Sequence, residues 1–335
     1  MNVPRIFLAG DAVSGTGPAN VTKYYISRLP EGTLYQKFRN KFLRVPEIMF
    51  KTLSCDVAVY SGYSRQNILG LKIAKFFNKP CAYIMHGCVE YENEINLEPD
   101  ESMNRVERRT LEMADLIIAV SAGFAAWLKD YYPMHAGKID HVYNGIDGRM
   151  FEEGTRGRDR DRHMIFSVGG GMPRKKIVRI CEAVETLRKQ YDPEMYLCIV
   201  GDTGADSDAI DAYPFVKNLG IVSFDKTRHL YEKAALFVQN SCFETFGLAP
   251  VEALSCGCPV LLSKCIGALG IMGNVTDADV IEHCDDPDEI ASKIRDLIEN
   301  PNAARLAEGI DIESVSWERR CEELLAKLSD LVSKR

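Results

Sequence analysis

The sequence predicts an α/β protein made of two doubly wound units, each a parallel sheet with helices on both faces. Three observations predict it. At 335 residues the chain is too long for one ordinary core and suits two domains of about 150 residues each. Short apolar runs alternate with helix-period segments along the chain, the pattern of parallel strands buried on both sides. That alternation breaks at residues 148–163 (GRMFEEGTRGRDRDRH), which are dense in charge, nearly free of apolar side chains, and so the natural domain boundary.

In the first unit the pattern predicts strands at 5–9, 56–60, 81–85, 116–120 and 139–142, with helices at 65–77, 103–114 and 121–131. After the first strand comes GDAVSGTGPAN, where Gly15 and Gly17 let the backbone approach a ligand that any side chain would obstruct. Glycine-rich first turns also occur in sheets that bind nothing there. Ser121 suits a helix cap and Asn144 with Gly145 a turn. Residues 34–53 (LYQKFRNKFLRVPEIMFKTL) interleave Lys37, Arg39, Lys41, Arg44 and Lys51 with Phe38, Phe42, Leu43, Ile48, Met49 and Phe50. Such a segment suits an anionic membrane surface, and equally a core helix with a charged outer face. Pro46 is expected to interrupt any single long helix there.

In the second unit strands are predicted at 164–168, 195–200, 236–238 and 260–262, and helices at 175–190 and 228–235. Residues 314–334 form an amphipathic helix with Val315, Trp317, Cys321, Leu324, Leu325, Leu328 and Leu331 on its apolar stripe.

The densest chemistry lies in residues 241–260, SCFETFGLAPVEALSCGCPV. Pro250 suits a first helical turn and Gly257 a C-terminal cap, so a helix should run from Gly247 or Leu248 to Cys256. Glu244 then precedes the helix and Glu252 lies about one turn inside it. The amides of Phe246, Gly247 and Leu248 point out of the helix start, where the macrodipole favours an anion such as phosphate. Ionised carboxylates only accept hydrogen bonds, so Glu244 and Glu252 suit hydroxyls on either side of the phosphates. The layout fits a nucleotide sugar.

This E-x7-E segment, with its FGLAPVEAL core and following G-x-P-V, resembles the signature of the retaining glycosyltransferases of family 4, glycosyl transferases group 1, of the GT-B fold. The resemblance implies two Rossmann-like domains facing a central cleft. Residues 1–150 would form the acceptor side and 163–312 the nucleotide-sugar side. SWERRCEELL, within 313–335, is similar to the terminal helix that crosses back onto the first domain; a packing helix of the second domain is the alternative. The resemblance further implies Glu244 beside the donor sugar, Glu252 beside the ribose, and Thr245, Phe246, Gly247 and Leu248 around the diphosphate. Gly15 and Gly17 would cover the diphosphate, and His86, in IMHGCVE, would face the sugar. Val222 and Ser223 match positions beside the base. In FSVGGGMPRKKI, Lys175 matches the family lysine that stabilises the departing diphosphate. The family arginine falls on Gly170, leaving Arg174 or Lys176 to supply its charge.

The activity so implied is transfer of a hexosyl group, with retention, from a nucleoside diphosphate sugar to an acceptor hydroxyl. The acceptor would be a glycan or lipid-linked glycan of bacterial surface polysaccharide assembly. No cofactor is implied, the nucleotide sugar being a substrate, and no metal, because the D-x-D pairs Asp159/Asp161 and Asp206/Asp208 fall in the linker or a polar loop. A sugar-nucleotide 2-epimerase and a non-catalytic GT-B scaffold are the rival functions.

Bulk properties narrow the partners. Hydrophobic residues make up 46% and charged residues 27%, as in a globular protein, and the net charge of −7 argues against nucleic acid. No run of about 18 apolar residues exists, and MNVPRIFLAG lacks the form of a signal peptide. A cytoplasmic protein is expected, at the inner membrane face if residues 34–53 dock. Eleven cysteines without a C-x-x-C pair read as small buried hydrophobes in a reducing compartment.

Overall fold

The computed structural model describes residues 4–14, 16–38, 40–152 and 159–334. The chain divides into two compact units: Met1–Tyr91 with Pro99–Asp147 and Glu313–Arg335, and Gly148–Ile312 with Glu92–Glu98.

The first unit holds β1 (Ile6–Ala9), β2 (Leu34–Tyr35), β3 (Val57–Ser61), β4 (Cys81–Met85), β5 (Leu116–Ala119) and β6 (Ile139–His141) in a parallel sheet of order β2-β1-β3-β4-β5-β6. Every residue of β3 and β4 is buried, because helices cover both faces and leave no alternation to see. The intervening helices are α1 (Gly17–Arg28), α2 (Lys41–Ser54), α3 (Arg65–Phe76), α4 (Val89–Ile95), α5 (Glu101–Met113) and α6 (Ala122–Tyr131); the residues of α4 from Glu92 onward belong to the second unit. The helix α2 runs unbroken through Pro46, contrary to the expected interruption. Asn40 caps its start by accepting from Phe42 N, and the proline, near that end, removes only one ladder donor.

The second unit holds β7 (Asp161–Val168), β8 (Tyr196–Val200), β9 (Val216–Asn218), β10 (Ala234–Gln239), β11 (Val260–Ser263) and β12 (Val280–Ile281), parallel in the order β12-β11-β10-β7-β8-β9. Its helices are α7 (Arg149–Glu152), α8 (Ile177–Gln190), α9 (Ser207–Asp211), α10 (Phe224–Lys233), α11 (Leu248–Ser255), α12 (Pro287–Glu299) and α13 (Ala303–Glu308). Ile177, Ile180, Cys181, Val184 and Leu187 form the inward stripe of α8 and share one core with Ile290, Ile294 and Leu297 of α12. The strands β2, β9 and β12, which the pattern did not predict, are sheet edges of two or three residues, too short to carry a period.

Two boundaries move for identifiable reasons. The helix predicted from residue 175 begins at Ile177, because Pro173–Lys175 forms a 3-10 turn and Lys176 takes a left-handed φ of 50°. The charged stretch 148–163 also does more than link. Arg160 donates to the carbonyls of Tyr231, Glu232 and Ala234 at the end of α10 and of Cys256 at the end of α11, while residues 161–163 open β7. Residues 153–158 of that stretch lie outside the described residues.

The last helix, α14 (Trp317–Ser333), belongs to the first unit. Trp317 is buried, stacks on Tyr24 of α1 with centroids 4.7 Å apart and meets Tyr25 edge-on. A Cβ at Gly145 would come within 2.5 Å of the indole, so that glycine makes room for it. Ion pairs Arg28–Glu318 and Lys327–Asp140 flank the contact. All eleven cysteines are free and eight are buried. Among the described residues no helix is long and apolar enough to cross a membrane.

Candidate functional site

In the second unit the chemistry gathers at the carboxyl ends of β7 and β10, where doubly wound sheets present their ligands. Residues 243–247 leave β10 and turn into α11. The turn is held by a bridge between Glu244 and Ile266 and by the Ala268 N–H, which donates to Phe246 O at 2.7 Å. Thr245 and Phe246 are buried, and the Phe246 side chain is part of the core. Gly247 has φ 84°, which only glycine adopts without strain, and α11 starts with no side-chain cap. Leu248, half-buried, is the first helical residue and Gly257, at φ 67°, the terminator.

Glu244 is the centre of a charged cluster. Its Oε2 accepts from Lys175 Nζ at 2.5 Å, Gln239 Nε2 at 3.0 Å and Arg174 Nη1 at 3.4 Å. Burial pushes the Glu244 carboxyl upward, but Lys175 and Arg174 outweigh it and hold its pKa below the ordinary value. Burial draws the Lys175 ammonium down, and Glu244 restores part of the loss. We take the pair as ionic. Arg174 also donates to Phe243 O at 3.2 Å, and its guanidinium lies 3.7 Å from Glu92; its backbone N–H donates to Asn96 at 3.3 Å. Glu92 and Asn96 belong to Glu92–Glu98, which joins this unit from a distant part of the chain. Spacing gave no signal for Gln239, Glu92 or Asn96.

The glycine loop explains why no arginine stands at position 170. Gly170 has φ 54°, and a Cβ there would sit 2.0 Å from Asp202 O on the loop after β8. Arg174 brings a guanidinium to Glu244 from four residues further on. Lys176 instead bonds Asp285 at 3.0 Å, away from the cluster.

Glu252 lies on α11, one turn inside it. Tyr231 Oη donates to its Oε2 at 3.4 Å, and burial raises the carboxyl pKa above its ordinary value. Ser223 caps α10 by accepting from Lys226 N at 3.3 Å, which accounts for its hydroxyl, and Val222 beside it is half-buried. Of the D-x-D residues, Asp161 accepts from Tyr196 Oη at 2.8 Å.

In the first unit His86 follows β4. Its Nε2 lies 2.8 Å from Ser61 Oγ, which lies 2.7 Å from Thr22 Oγ1. Thr22 donates to Pro18 O at 3.0 Å, so its one hydroxyl proton is committed and it accepts from Ser61. Ser61 must then accept from His86, which assigns the ring proton to Nε2 and leaves Nδ1 as the acceptor. Burial pushes the imidazole pKa down to about 4, so the ring is neutral at pH 7. The relay needs Gly10, where a Cβ would come 2.8 Å from Ser61 Cβ and 3.2 Å from Thr22 Cγ2. Gly17 opens α1 with nothing of the protein within 4 Å of a built Cβ, and Gly15 lies outside the described residues.

Two doubly wound units, one bearing paired glutamates across a helix start with lysine and arginine on the first, define a glycosyltransferase of the GT-B type. Solved structures share the fold over essentially the whole chain. The structure of Anabaena HepE in complex with UDP and glucose matches with a TM-score of 0.68 at 16% identity, covering 98% of this chain and 100% of that one. Sucrose-phosphate synthase of Thermosynechococcus elongatus matches with 0.70 at 19% identity, covering 99% and 100%. Residues 10–148 match the family model Glycosyltransferase Family 4 and residues 151–309 the model Glycosyl transferases group 1, and the chain belongs to this glycosyltransferase family. A curated relative, D-inositol 3-phosphate glycosyltransferase of Thermobifida fusca, is 26% identical over 312 residues, 81% of this chain and 69% of that protein.

Proposed function

We propose that this glycosyltransferase moves a hexosyl group, with retention and without a metal, from a nucleoside diphosphate sugar to a hydroxyl of a glycan or lipid-linked glycan. The observation that carries the reading is the position of Glu244, ionised beside Lys175 and Arg174, with Glu252 across the uncapped start of α11. The UDP and glucose named for the Anabaena neighbour support a nucleotide sugar donor.

In this reading the helix start and Lys175 hold the diphosphate, and Lys175 keeps two N–H donors beyond the one given to Glu244. As the glycosidic bond breaks, negative charge grows on the diphosphate, and Lys175 with Arg174 stabilises it from fixed positions. This is the charge that a metal supplies elsewhere. Glu244 and Glu252 accept from sugar and ribose hydroxyls, and the neutral His86 offers Nδ1 to a sugar hydroxyl. The acceptor hydroxyl attacks on the face the diphosphate leaves, and the departing phosphate oxygen takes its proton.

Thermal shift against UDP, GDP, ADP and dTDP sugars identifies the donor, since a ligand of the folded state raises apparent stability. Transfer of a radiolabelled sugar to acceptor, lost in Glu244→Ala, supports the reading. A change of the sugar with no acceptor present would mark an epimerase, and transfer undiminished in Glu244→Ala would sink the assignment.

A further inference from the structure

The helix α2 is amphipathic the wrong way round for a core helix. Its inward side carries charge and bonds it internally: Glu47, buried, accepts from Lys37 N at 2.8 Å, Phe38 N at 3.0 Å and Lys51 Nζ at 2.5 Å. Arg44 donates to Ser64 and Asn67 at the start of α3. Ile48 and Thr52 are the fully buried residues without charge among the described side chains of α2, Ile48 over Gly70 of α3. The outward side is the apolar one. Phe42, Leu43, Pro46, Met49, Phe50 and Leu53 recur at helical spacing, and the five large side chains among them are 40 to 76% exposed. Phe76 and Phe77, at the end of the neighbouring α3, are exposed as well.

Exposed apolar surface of this extent marks an interaction site, and the charge around it selects the partner. Residues 32–89 contain nine Lys or Arg against two acidic residues, a balance of +7 in a chain whose total is −7. A second copy would bring two such basic segments together, which like-charge repulsion opposes. Nucleic acid would meet the cations but not the stripe of Leu43, Met49 and Leu53. An aromatic and aliphatic stripe on a strongly basic segment fits the headgroup boundary of an anionic bilayer, where rings enter the interface and cations meet lipid phosphates.

We propose that α2 docks this glycosyltransferase on an anionic lipid surface through Phe42, Leu43, Met49, Phe50 and Leu53, with Lys37 facing the headgroups. The helix starts after β2, at the carboxyl edge of the sheet that also carries His86, so a docked protein holds that edge near the lipid. The proposal stands on α2 alone and not on the donor chemistry.

The test is cosedimentation of the full chain with vesicles of phosphatidylcholine, with and without phosphatidylglycerol, in the absence of donor and acceptor. The expected result is binding to anionic vesicles that weakens from about 0.1 M to about 1 M salt, as the screening length falls from about 10 Å to about 3 Å. Phe42→Ser with Phe50→Ser should lose about tenfold or more of that binding with the melting temperature unchanged, since both side chains point to solvent. Lys37→Glu should lose less. Failure of the native chain to bind anionic vesicles, or full binding by the double variant, would overturn the proposal. So would a dimer in lipid-free buffer that the double variant turns into monomer.

Discussion

Lys175 and Glu244 sit 2.5 Å apart on two different loops of the second unit, their side chains only 11% and 13% exposed. Sequence places them 69 residues apart; β7 and β10, paired side by side in the sheet, bring them together. The pair ties the glycine loop to the start of α11, so it supports the fold as well as the chemistry proposed for it.

Removing one partner leaves the other charge buried and uncompensated. Lys175→Ala and Glu244→Ala should each destabilise by about 3–5 kcal/mol, and the double variant by clearly less than the sum. Urea denaturation of the four proteins measures this. Simple additivity would show that the two charges are not coupled. Transfer should fall at least about a hundredfold in each single variant.

The second prediction concerns Gly170. Installing the arginine that family resemblance expects there cannot restore function, because the obstacle is the backbone. The residue has φ 54°, and its Cβ would strike Asp202 O at 2.0 Å. Gly170→Ala should cost more than about 2 kcal/mol, combining left-handed strain with displacement of the loop after β8, and Gly170→Arg at least as much. Thermal unfolding checks it. A Gly170→Arg protein with native stability and raised activity would refute the steric account.

That position also marks the limit of what the sequence made legible. Two doubly wound sheets could be read because their central strands are continuous apolar runs, and α11 could be bounded because Gly247, Pro250 and Gly257 each have a local conformational reason. The edge strands β2, β9 and β12 carry too few residues for a period. The cluster around Glu244 was only half visible: Lys175 by its match to a motif and Arg174 as a neighbouring cation, but Gln239 not at all, nor Glu92 and Asn96, which reach Arg174 from a separate segment. The Pro46 reading failed because α2, capped by Asn40, absorbs the loss of one ladder donor, and in residues 34–53 the interleaving of cations and apolar side chains was visible but not which way the apolar ones face.

The relay Thr22–Ser61–His86 yields a third prediction, on activity. Ser61→Ala removes the acceptor of the Nε2 proton and frees the ring to take the other tautomer. The donor KM should rise about tenfold with kcat changed less, the cost of one neutral hydrogen bond and its orientation. Ser61→Thr, which keeps a hydroxyl, should recover part of the loss. Equal kinetics in Ser61→Ala would remove Ser61 from any positioning role.

His86 also sets a pH dependence. Its folded pKa, about 4, lies below the ordinary 6.5, so between those values the unfolded chain binds the extra proton. Stability is therefore fully present above about pH 6.5 and is lost as pH falls towards 4, with a slope of at most about 1.4 kcal/mol per pH unit from this group. His86→Gln should flatten the profile in that window relative to the native chain. Parallel profiles for the two proteins would mean that the imidazole is not held neutral.

Glu252 shows the opposite sign. Its carboxyl pKa is raised by burial, with Tyr231 alone among the causes opposing. The stability this group contributes is thus present below the ordinary carboxylate value and lost as pH rises through the raised one. At neutral pH the charge is a burden on the fold, and Glu252→Gln, nearly the same shape, should raise the melting temperature. If Glu252 is retained for a ribose diol, the same substitution should weaken donor binding by about ten- to a hundredfold, the worth of a charged hydrogen bond. Tyr231→Phe separates the two effects, because it removes the Tyr231 hydroxyl donor to Glu252 and should lower stability while leaving donor affinity within about threefold. Calorimetric titration of the donor into the three proteins, beside their melting curves, decides the matter. A Glu252→Gln protein that gains stability and binds donor as tightly as the native chain would place the ribose elsewhere.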